Sequence, residues 1–127
     1  MVVALVAAAL VATTLVALEG REVVVLKTVD AGGVGRATRT WVADEDAHAW
    51  IEAANPERPF LLALATHPDV ELTRGGRVHR CHVEPMPNPA GHRHVRELLA
   101  RKYGWADRWI GFLTDTSRSV AVRLRCE

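Results

Sequence analysis

The first eighteen residues, from Met1 to Leu18, carry no charged side chain, and this feature constrains the fold more than any other in the sequence. After the initial methionine they are valine, alanine and leucine, interrupted only by Thr13 and Thr14. As an α-helix this segment rises about 27 Å, close to the roughly 30 Å hydrocarbon core of a bilayer. Because it is apolar on every face, it lacks the one-sided pattern of a helix that packs on a soluble core.

Three interpretations of residues 1–19 are open: a single transmembrane anchor, a cleaved signal peptide, and a buried element of the domain. The anchor is favoured over the signal peptide, because no basic residue precedes the run and no pair of small residues marks a cleavage site after it. The nearest basic side chains, Arg21 and Lys27, follow the segment. The positive-inside tendency therefore predicts a single-pass membrane protein whose globular domain is cytoplasmic.

Residues 20–127 have the length of one domain. The 16 basic side chains and all of the 15 acidic ones except Glu19 lie in this part, and the formal net charge of the chain is +1. So small a net charge gives no electrostatic attraction to nucleic acid, and no nucleic-acid partner is expected.

Runs of β-branched and alternating residues predict strands, and proline, asparagine and glycine mark the predicted ends of helices. The predicted strands are 22–29, 36–42, 47–53, 70–73, 78–84 and 120–124, and the predicted helices are 59–66, 88–104 and a further turn with Trp105, Trp109 and Phe112. A polar tip at 44–46 predicts a hairpin of the second and third strands. We expect an α+β fold, a small barrel of about six mostly antiparallel strands with flanking helices.

The aromatic residues of that last helical turn have two interpretations. They are expected to pack in the core, and the alternative is an aromatic wall for a flat ring.

A glycine-rich bend at 32–35 precedes a cluster of basic and hydroxyl side chains. Such a bend lets backbone N–H groups approach an anion, and the side chains add donors suited to phosphate. The cluster consists of Arg36, Thr38, Arg39 and Thr40. The alternative is a plain hairpin turn whose arginines lie in solvent.

No sequence signature of catalysis is present, and no zinc-type spacing occurs among the histidines and cysteines, so we expect no metal site. A haem ligated by His67, His79 or His82 is a third possibility beside the functions considered below. Pairing of Cys81 with Cys126 would require an oxidising compartment, contrary to the predicted cytoplasmic orientation.

The order and spacing of several short motifs resemble the deazaflavin-dependent nitroreductase family. The motifs are Leu26-Lys27-Thr28, the bend through Gly35, Arg39-Thr40-Trp41-Val42, Trp50, Arg58-Pro59, Leu64, His67-Pro68-Asp69-Val70, Lys102-Tyr103-Gly104 and Val120-Ala121-Val122-Arg123-Leu124. The resemblance covers about residues 22–125. It implies a split β-barrel, related to flavin reductases and pyridoxamine-phosphate oxidases, that binds a deazaflavin or FMN and is often a homodimer.

The resemblance also implies roles for individual residues. The cofactor phosphate would be held by the cluster after the bend, Arg36, Thr38, Arg39 and Thr40, while Trp41, Arg58 and Pro59 match less specific cofactor positions. The substrate side would be bordered by Lys102, Tyr103 and Trp109.

These inferences predict a membrane-anchored oxidoreductase that transfers hydride to a small apolar substrate such as a quinone or a nitro compound. The cofactor performs the chemistry in such a reaction, which agrees with the absence of a catalytic signature. The alternative is a non-catalytic, membrane-tethered split-barrel binding module.

Overall fold

A computed structural model describes all residues of the chain, 1–127. It contains four helices and seven strands, which confirms the predicted α+β class. The helices are α1 (Val2–Glu19), α2 (Pro59–Thr66), α3 (Ala90–Tyr103) and α4 (Trp105–Leu113). The strands are β1 (Val24–Val29), β2 (Gly35–Thr40), β3 (Ala43–Glu45), β4 (His48–Ala53), β5 (Asp69–Arg74), β6 (Arg77–Pro85) and β7 (Val120–Cys126).

All seven strands form one antiparallel sheet, in the order β2-β1-β5-β6-β7-β4-β3. The strands β2 and β3 are its two edges, yet only Trp41 and Val42 separate them along the chain. The sheet must therefore curl until its edges approach each other. The result is the half-barrel that the sequence predicts.

The predicted hairpin of 36–42 with 47–53 is wrong. Strand β2 ends at Thr40 and pairs with β1, whereas β4 forms its hairpin with the short strand β3. The two loop residues of that hairpin, Asp46 and Ala47, both have positive φ angles, 52° and 63°, as in the tight turns that suit twisted hairpins. Alternation alone does not show that β2 ends at Thr40. The additional strand, β3, covers Ala43–Glu45, largely the predicted polar tip at 44–46, so the sheet has seven strands rather than about six.

The interior of the half-barrel holds the larger of two hydrophobic cores. Inward side chains such as Leu26, Ile51 and Leu124 are completely buried there. Helix α2 lies against β1 and adds Phe60 and Leu64 to this core. Burying one such side chain stabilises the fold by about 1.5–3 kcal/mol.

A second core lies between the outer face of the sheet and the helices α3 and α4. Trp50 and Ala121 face outward from β4 and β7 and pack against Leu99 and Tyr103 of α3. Of the whole of α1, only Ala17 is buried, and it belongs to this outer core. The outer core thus connects the barrel to the end of the N-terminal helix.

Helix α1 is long and apolar enough to cross a membrane, a test that a signal sequence also passes. Only 6% of its 18-residue window is buried, so nearly all of its apolar surface faces away from the domain. It lies along α4, where Trp109 Nε1 donates a hydrogen bond of 3.0 Å to Thr14 Oγ1.

Of the three aromatic residues of α4 that were expected to pack in the core, only Trp109 packs against the outer core. Phe112 is 86% exposed and Trp105 is 40% exposed, while Trp109 is half-buried. The side of α4 that carries Phe112 therefore adds apolar surface beside α1.

A disulfide joins Cys81 and Cys126, which are register partners on β6 and β7. It connects positions separated by 45 residues. Disulfides persist in oxidising compartments, so this pairing opposes the predicted cytoplasmic placement of the barrel.

Candidate functional site

The inward face of β2 carries three of the predicted cofactor-binding residues. Thr38 and Thr40 lie opposite Leu26 and Val24 of β1, and directly opposed residues of an antiparallel pair share one face of the sheet. Arg36 lies opposite the buried Thr28 in the same way. Because β2 is an edge strand, this face is only partly covered: both threonines are half-buried and Arg36 is exposed.

The glycine-rich bend is held by its own aspartate. Asp30 Oδ1 accepts hydrogen bonds from the backbone N–H groups of Gly32 and Val34, each 2.9 Å long. Gly33, whose φ of 83° favours glycine, donates its N–H to the carbonyl of Asp30. The expectation that the N–H groups of this bend are free to bind an anion is therefore wrong, because the Asp30 carboxylate already accepts hydrogen bonds from two of them.

Arg36 lines a broad cavity of about 1200 Å³, which we call the strand-end cavity. It extends over the last residues of β1 and β7, the first residues of β2 and β5, and the middle of β6. Its charged lining residues are of both signs: Lys27, Arg36, Arg80 and Arg125 are basic, and Asp69, Glu71 and Glu127 are acidic. Thr28 also lines it, and the Oγ1 of this threonine is buried without a hydrogen-bond partner.

Arg39 points to the other face of β2 and pairs with Glu19 at the end of α1. The structure therefore does not gather Arg36 and Arg39 at one anion site. With Thr40 and Trp41, Arg39 lines a smaller cavity of about 310 Å³ between α1, the sheet and the outer helices, which we call the helix cleft. Its remaining lining residues are Leu18, Glu19, Val23, Glu52, Leu99 and Ile110.

Trp41 is held rigidly at this cleft. Its ring stacks on that of Tyr103, with centroids 4.2 Å apart and planes 9° from parallel. Its Nε1 donates a hydrogen bond of 3.1 Å to the carbonyl of Leu18. One indole thus links the end of α1 to the outer core.

Tyr103, predicted at the substrate side, lies completely buried in the core. Its hydroxyl accepts a hydrogen bond from the N–H of Val42 at 3.1 Å and donates one to the carbonyl of Glu22 at 2.7 Å. Burial raises the pKa of the Tyr103 hydroxyl. Both hydrogen bonds fix backbone groups next to the gap between the two sheet edges. Tyr103 therefore has a structural role and does not line either cavity.

Lys102, also predicted at the substrate side, belongs to a group of four charges that we call the seam cluster: Glu22, Asp44, Arg74 and Lys102. Arg74 binds Glu22 at 2.8 and 3.0 Å and Asp44 at 2.7 and 2.5 Å. Lys102 Nζ lies 2.5 Å from Glu22 Oε1 and 2.7 Å from the carbonyl of Val42. The cluster ties β5 and α3 to β3 and to the residues before β1, so it closes the half-barrel.

Electrostatics within the seam cluster follow from this geometry. The hydrogen-bonded Arg74 guanidinium lowers the pKa of both Glu22 and Asp44. The pKa of Arg74 is raised in turn, first by Asp44 and then by Glu22. Glu22, Asp44 and Arg74 are therefore charged at neutral pH, and with Lys102 the cluster contains two basic and two acidic side chains.

Arg58 and Pro59 begin α2 and are exposed. Neither residue lines the strand-end cavity or the helix cleft. The structure therefore does not bring them to the residues of β2.

The sequence analysis missed a second charged group, which we call the Glu52 triad: Glu52, Arg96 and Asp107. Arg96 Nη1 donates to Glu52 Oε1 at 2.8 Å, and Nη2 donates to Asp107 Oδ1 at 2.6 Å. The side chains are 16%, 20% and 8% exposed for Glu52, Arg96 and Asp107. Burial works against the charge of Arg96, but the two carboxylates outweigh it and raise its pKa.

One acceptor of this triad is unused. Glu52 Oε2 is buried and has no hydrogen-bond partner, and Glu52 is a lining residue of the helix cleft. The sequence signal that could have identified this group is Glu52 itself, a single acidic residue within an apolar run of Ala49, Trp50, Ile51 and Ala53.

The histidines and cysteines do not converge on a metal. His82 pairs with Asp69 at 2.9 Å, His94 with Glu45 at 2.5 Å, and His92 Nδ1 lies 2.7 Å from the hydroxyl of the buried Ser119. No group of three or more His, Cys, Asp or Glu side chains is arranged to hold a metal ion.

Comparison with known proteins places the fold. No protein-family model and no curated protein matches the sequence. Among solved structures, an F420 reductase is 21% identical with a TM-score of 0.61, and the match covers 89% of this chain and 92% of that one. An FAD-binding protein from Mesorhizobium loti is 17% identical with a TM-score of 0.59, covering 92% and 88%.

A third structure, described as a domain-swapped dimer, is 18% identical with a TM-score of 0.59 and covers 84% of this chain and 81% of that one. At such identities the likeness establishes the fold. The split β-barrel implied by the resemblance is thus confirmed, and its structural neighbours include reductases of the expected kind.

Proposed function

We propose that this chain is a membrane-anchored oxidoreductase that binds a deazaflavin, or alternatively FMN, along β2 and transfers hydride to a small apolar substrate such as a quinone or a nitro compound. One observation carries the proposal. A fold shared with an F420 reductase has an open edge strand whose inward face presents donors without protein partners.

The donors on this face suit an anionic phosphate. Arg36 is exposed and forms no ion pair, Thr38 forms no side-chain hydrogen bond, and Thr28 Oγ1 lacks a partner. The Arg36 guanidinium and the Thr38 hydroxyl match the charge and the acceptor oxygens of a phosphate, and the Thr28 hydroxyl lies buried behind them. The residues present therefore fit the phosphate of a flavin-type cofactor.

Thr40 connects this face with the helix cleft, because it is the last inward residue of β2 and also lines the cleft. A cofactor that extends from Arg36 towards Thr40 would bring its ring to the cleft. We place the substrate side there, against Trp41, with Trp109 nearby on α4.

When bound and reduced, a deazaflavin or flavin would supply hydride, and the one proton that completes this two-electron reduction of the substrate would come from solvent. The tasks left to the protein are binding, orientation and exclusion of water. Trp41 provides a fixed wall because the stack with Tyr103 and the hydrogen bond to Leu18 hold its ring. Tyr103 is buried with its hydroxyl fully engaged, so it positions Trp41 and takes no proton.

The exposed apolar surface supports the proposed membrane location. Helix α1 exposes nearly all of its length, and Phe112 and Leu113 of α4, 86% and 49% exposed, continue this surface. Tryptophans such as Trp109 prefer the membrane–water interface. The cleft begins at Leu18, so an apolar substrate would reach it from the bilayer.

Two features bear on the side of the membrane. Arg21 and Lys27 favour the cytoplasm, and the disulfide of Cys81 with Cys126 favours an oxidising compartment. Alkylation of thiols in intact membranes, followed by mass spectrometry, distinguishes the two locations. From the structure we expect Cys81 and Cys126 to be linked and unmodified. Alkylation of both cysteines would instead favour a barrel in the cytoplasm. The fold shared with a domain-swapped dimer supports a homodimer, which sedimentation in detergent would test.

Cofactor titration tests the central proposal. The full chain in nanodiscs is titrated with deazaflavin and with FMN, beside Arg36→Ala and a control, Arg77→Ala, which changes an exposed arginine at the start of β6. We expect saturable binding of one cofactor, weakened about tenfold or more by Arg36→Ala and unchanged in the control. Failure of both cofactors to bind, or equal loss in both variants, would contradict the proposal and favour the non-catalytic module.

A further inference from the structure

We propose that α4 lies in the headgroup region of the membrane and that Arg108, on one face of this helix with Trp105 and Phe112, binds the phosphate of a phospholipid there. The inference goes beyond the proposed function by assigning a second membrane contact and the lipid chemistry that it recognises. It rests on that function only for the position of α1 in the bilayer.

The outward face of α4 carries two aromatic residues and one base. Trp105, Arg108 and Phe112 occupy positions i, i+3 and i+7, which share one face of a helix. Trp105 is 40% exposed, Phe112 is 86% exposed, and Arg108 is exposed as well. Exposed aromatic residues beside a base are typical of a helix that lies in the plane of a membrane interface, with its rings at the boundary of the acyl chains.

The opposite face holds α4 on the domain. Ala106 and Asp107 are buried, and Asp107 accepts a hydrogen bond from Arg96 in the Glu52 triad. Because Asp107 is the only acid of α4, the outward face has no negative charge. The outward side chains can therefore meet lipid while the helix stays packed on the outer core.

The base of the outward face is available to a lipid. Arg108 is the only base of α4 and forms no ion pair within the protein. The apolar stem of an arginine can lie along apolar surface while its head stays at the polar boundary. There the planar guanidinium can donate two parallel hydrogen bonds to a phosphate, so we infer a phospholipid headgroup as its partner.

The contact of α4 with α1 gives the depth of the helix. Trp109 Nε1 donates its hydrogen bond to Thr14 Oγ1, and Thr14 precedes Glu19, the first charged residue of the chain, by five residues. Five residues of α-helix rise about 7.5 Å. Helices that bind at a membrane surface lie about 5–10 Å into the boundary of headgroups and acyl chains. With Glu19 at the polar surface, α4 has the depth of such a helix.

The residues after α4 limit this depth. Asp115 and Arg118 follow the helix closely and are exposed. Exposed charges are costly in the hydrocarbon core, so they oppose deeper insertion. An interfacial position is therefore favoured over a membrane-spanning one for α4.

Nitroxide labels on single cysteines measure the depth directly. The full chain in nanodiscs is labelled at Phe112→Cys or, in α1, at Leu10→Cys, since the disulfide of Cys81 with Cys126 leaves no other free thiol. Accessibility of the label to oxygen and to a water-soluble nickel complex, measured by EPR, gives its depth. We expect the label at 112 to lie about 5–10 Å below the lipid phosphates and the label at 10 to lie deeper.

Val34→Cys is the matched control for this label. Val34 is 59% exposed and precedes β2, at the end of the strand away from Arg39 and its partner Glu19. We expect a label there to be fully accessible to the nickel complex. Thermal unfolding of each variant confirms that it is folded, and little change is expected because the replaced side chains are exposed.

A second measurement assigns the lipid contact to Arg108. Association of spin-labelled phosphatidylglycerol and phosphatidylcholine with the reconstituted chain gives the preference for the anionic headgroup. We expect a preference for phosphatidylglycerol that falls about fivefold in Arg108→Gln. The control, Arg58→Gln, changes an exposed arginine at the start of α2, which packs on the inner core on the other side of the sheet, and should leave the preference unchanged.

Three outcomes overturn the proposal. They are a label at 112 as accessible to the nickel complex as the label at 34, a label at 112 shielded from both oxygen and nickel, which would indicate a protein contact, and an unchanged lipid preference in Arg108→Gln. The label at Leu10 separates the two proposals. If it lies in lipid while one of these outcomes occurs, the anchor of the proposed function stands and only the role of α4 fails. If it lies in water, the anchor fails as well.

Discussion

The seam cluster and the Glu52 triad are built from the same residue types but differ in completeness. In the seam cluster, two acids meet two bases, and Arg74 uses three nitrogen atoms on two carboxylates. In the triad, Arg96 is shared by two acids, and Glu52 Oε2 has no partner. In the seam cluster every carboxylate oxygen has a basic partner, whereas the triad leaves one carboxylate oxygen buried without a donor. The two clusters therefore differ in how completely their charges are paired, and we expect their substitutions to differ in their effect on stability.

The largest expected effect is that of Arg74→Met, which breaks the saturated cluster. It leaves Glu22 and Asp44 without their shared partner at the place where the half-barrel closes. Because these side chains are partly exposed, we expect the free energy of unfolding to fall by about 2 kcal/mol, below the cost of breaking a fully buried pair. Chemical denaturation measures this, and a loss no larger than that of Arg77→Met would contradict the structural role.

Acidification should weaken the same cluster. The folded-state pKa values of Glu22 and Asp44 are lowered, so their contribution to stability is complete above the unfolded values, near pH 4, and is lost as the pH falls through the lowered values. The difference in melting temperature between the natural chain and Arg74→Met should therefore shrink below about pH 4. A difference independent of pH would show that packing, rather than charge, carries the effect.

Asp107→Asn is expected to have a smaller effect, because the triad keeps one ion pair. The substitution retains a hydrogen-bond acceptor for Arg96 and leaves Glu52 as its single counter-charge. We expect a loss of about 1 kcal/mol in the free energy of unfolding, measured by denaturation beside the exposed control Asp115→Asn. A loss as large as that of Arg74→Met would mean that the triad is structural too.

Glu52→Gln should change stability least, by less than about 0.5 kcal/mol. The substitution removes the unbalanced charge, and the amide oxygen still accepts from Arg96. Thermal unfolding in the absence of ligand reads this directly. A strongly destabilised variant would remove the contrast between the two clusters, since Glu52 would then be needed for folding.

The sequence predicts those features that depend on local pattern. Three such features are visible in the sequence and are present in the structure. They are the helix α1 that is apolar on every face, the alternation that places Arg36, Thr38 and Thr40 on one face of β2, and the end of α3 at Gly104. The resemblance supplies the split barrel, which periodicity alone does not distinguish from other small barrels.

Contacts between distant elements could not be predicted in the same way. The sequence predicted Tyr103 and Lys102 as pocket residues. In the fold, Trp41 stacks on the ring of Tyr103, and Glu22 binds the ammonium group of Lys102. In the sequence, Asp30 is an ordinary turn residue. Only the folded bend shows that its carboxylate accepts hydrogen bonds from the N–H groups that were predicted to bind an anion. Arg36 and Arg39 are neighbours in sequence but point to opposite faces because a strand alternates.

The short connection between α1 and the barrel has a consequence for encounter with substrate. Only four residues separate Glu19 from Val24, a span of at most about 14–18 Å. Leu18 and Glu19 also contact Trp41 and β2, and these contacts fix the orientation of α1 relative to the barrel. In a bilayer the cleft would stay at one height above a single leaflet. Molecules dissolved in that leaflet would then find it by lateral diffusion in two dimensions, whereas water-soluble competitors would have to approach through bulk solvent.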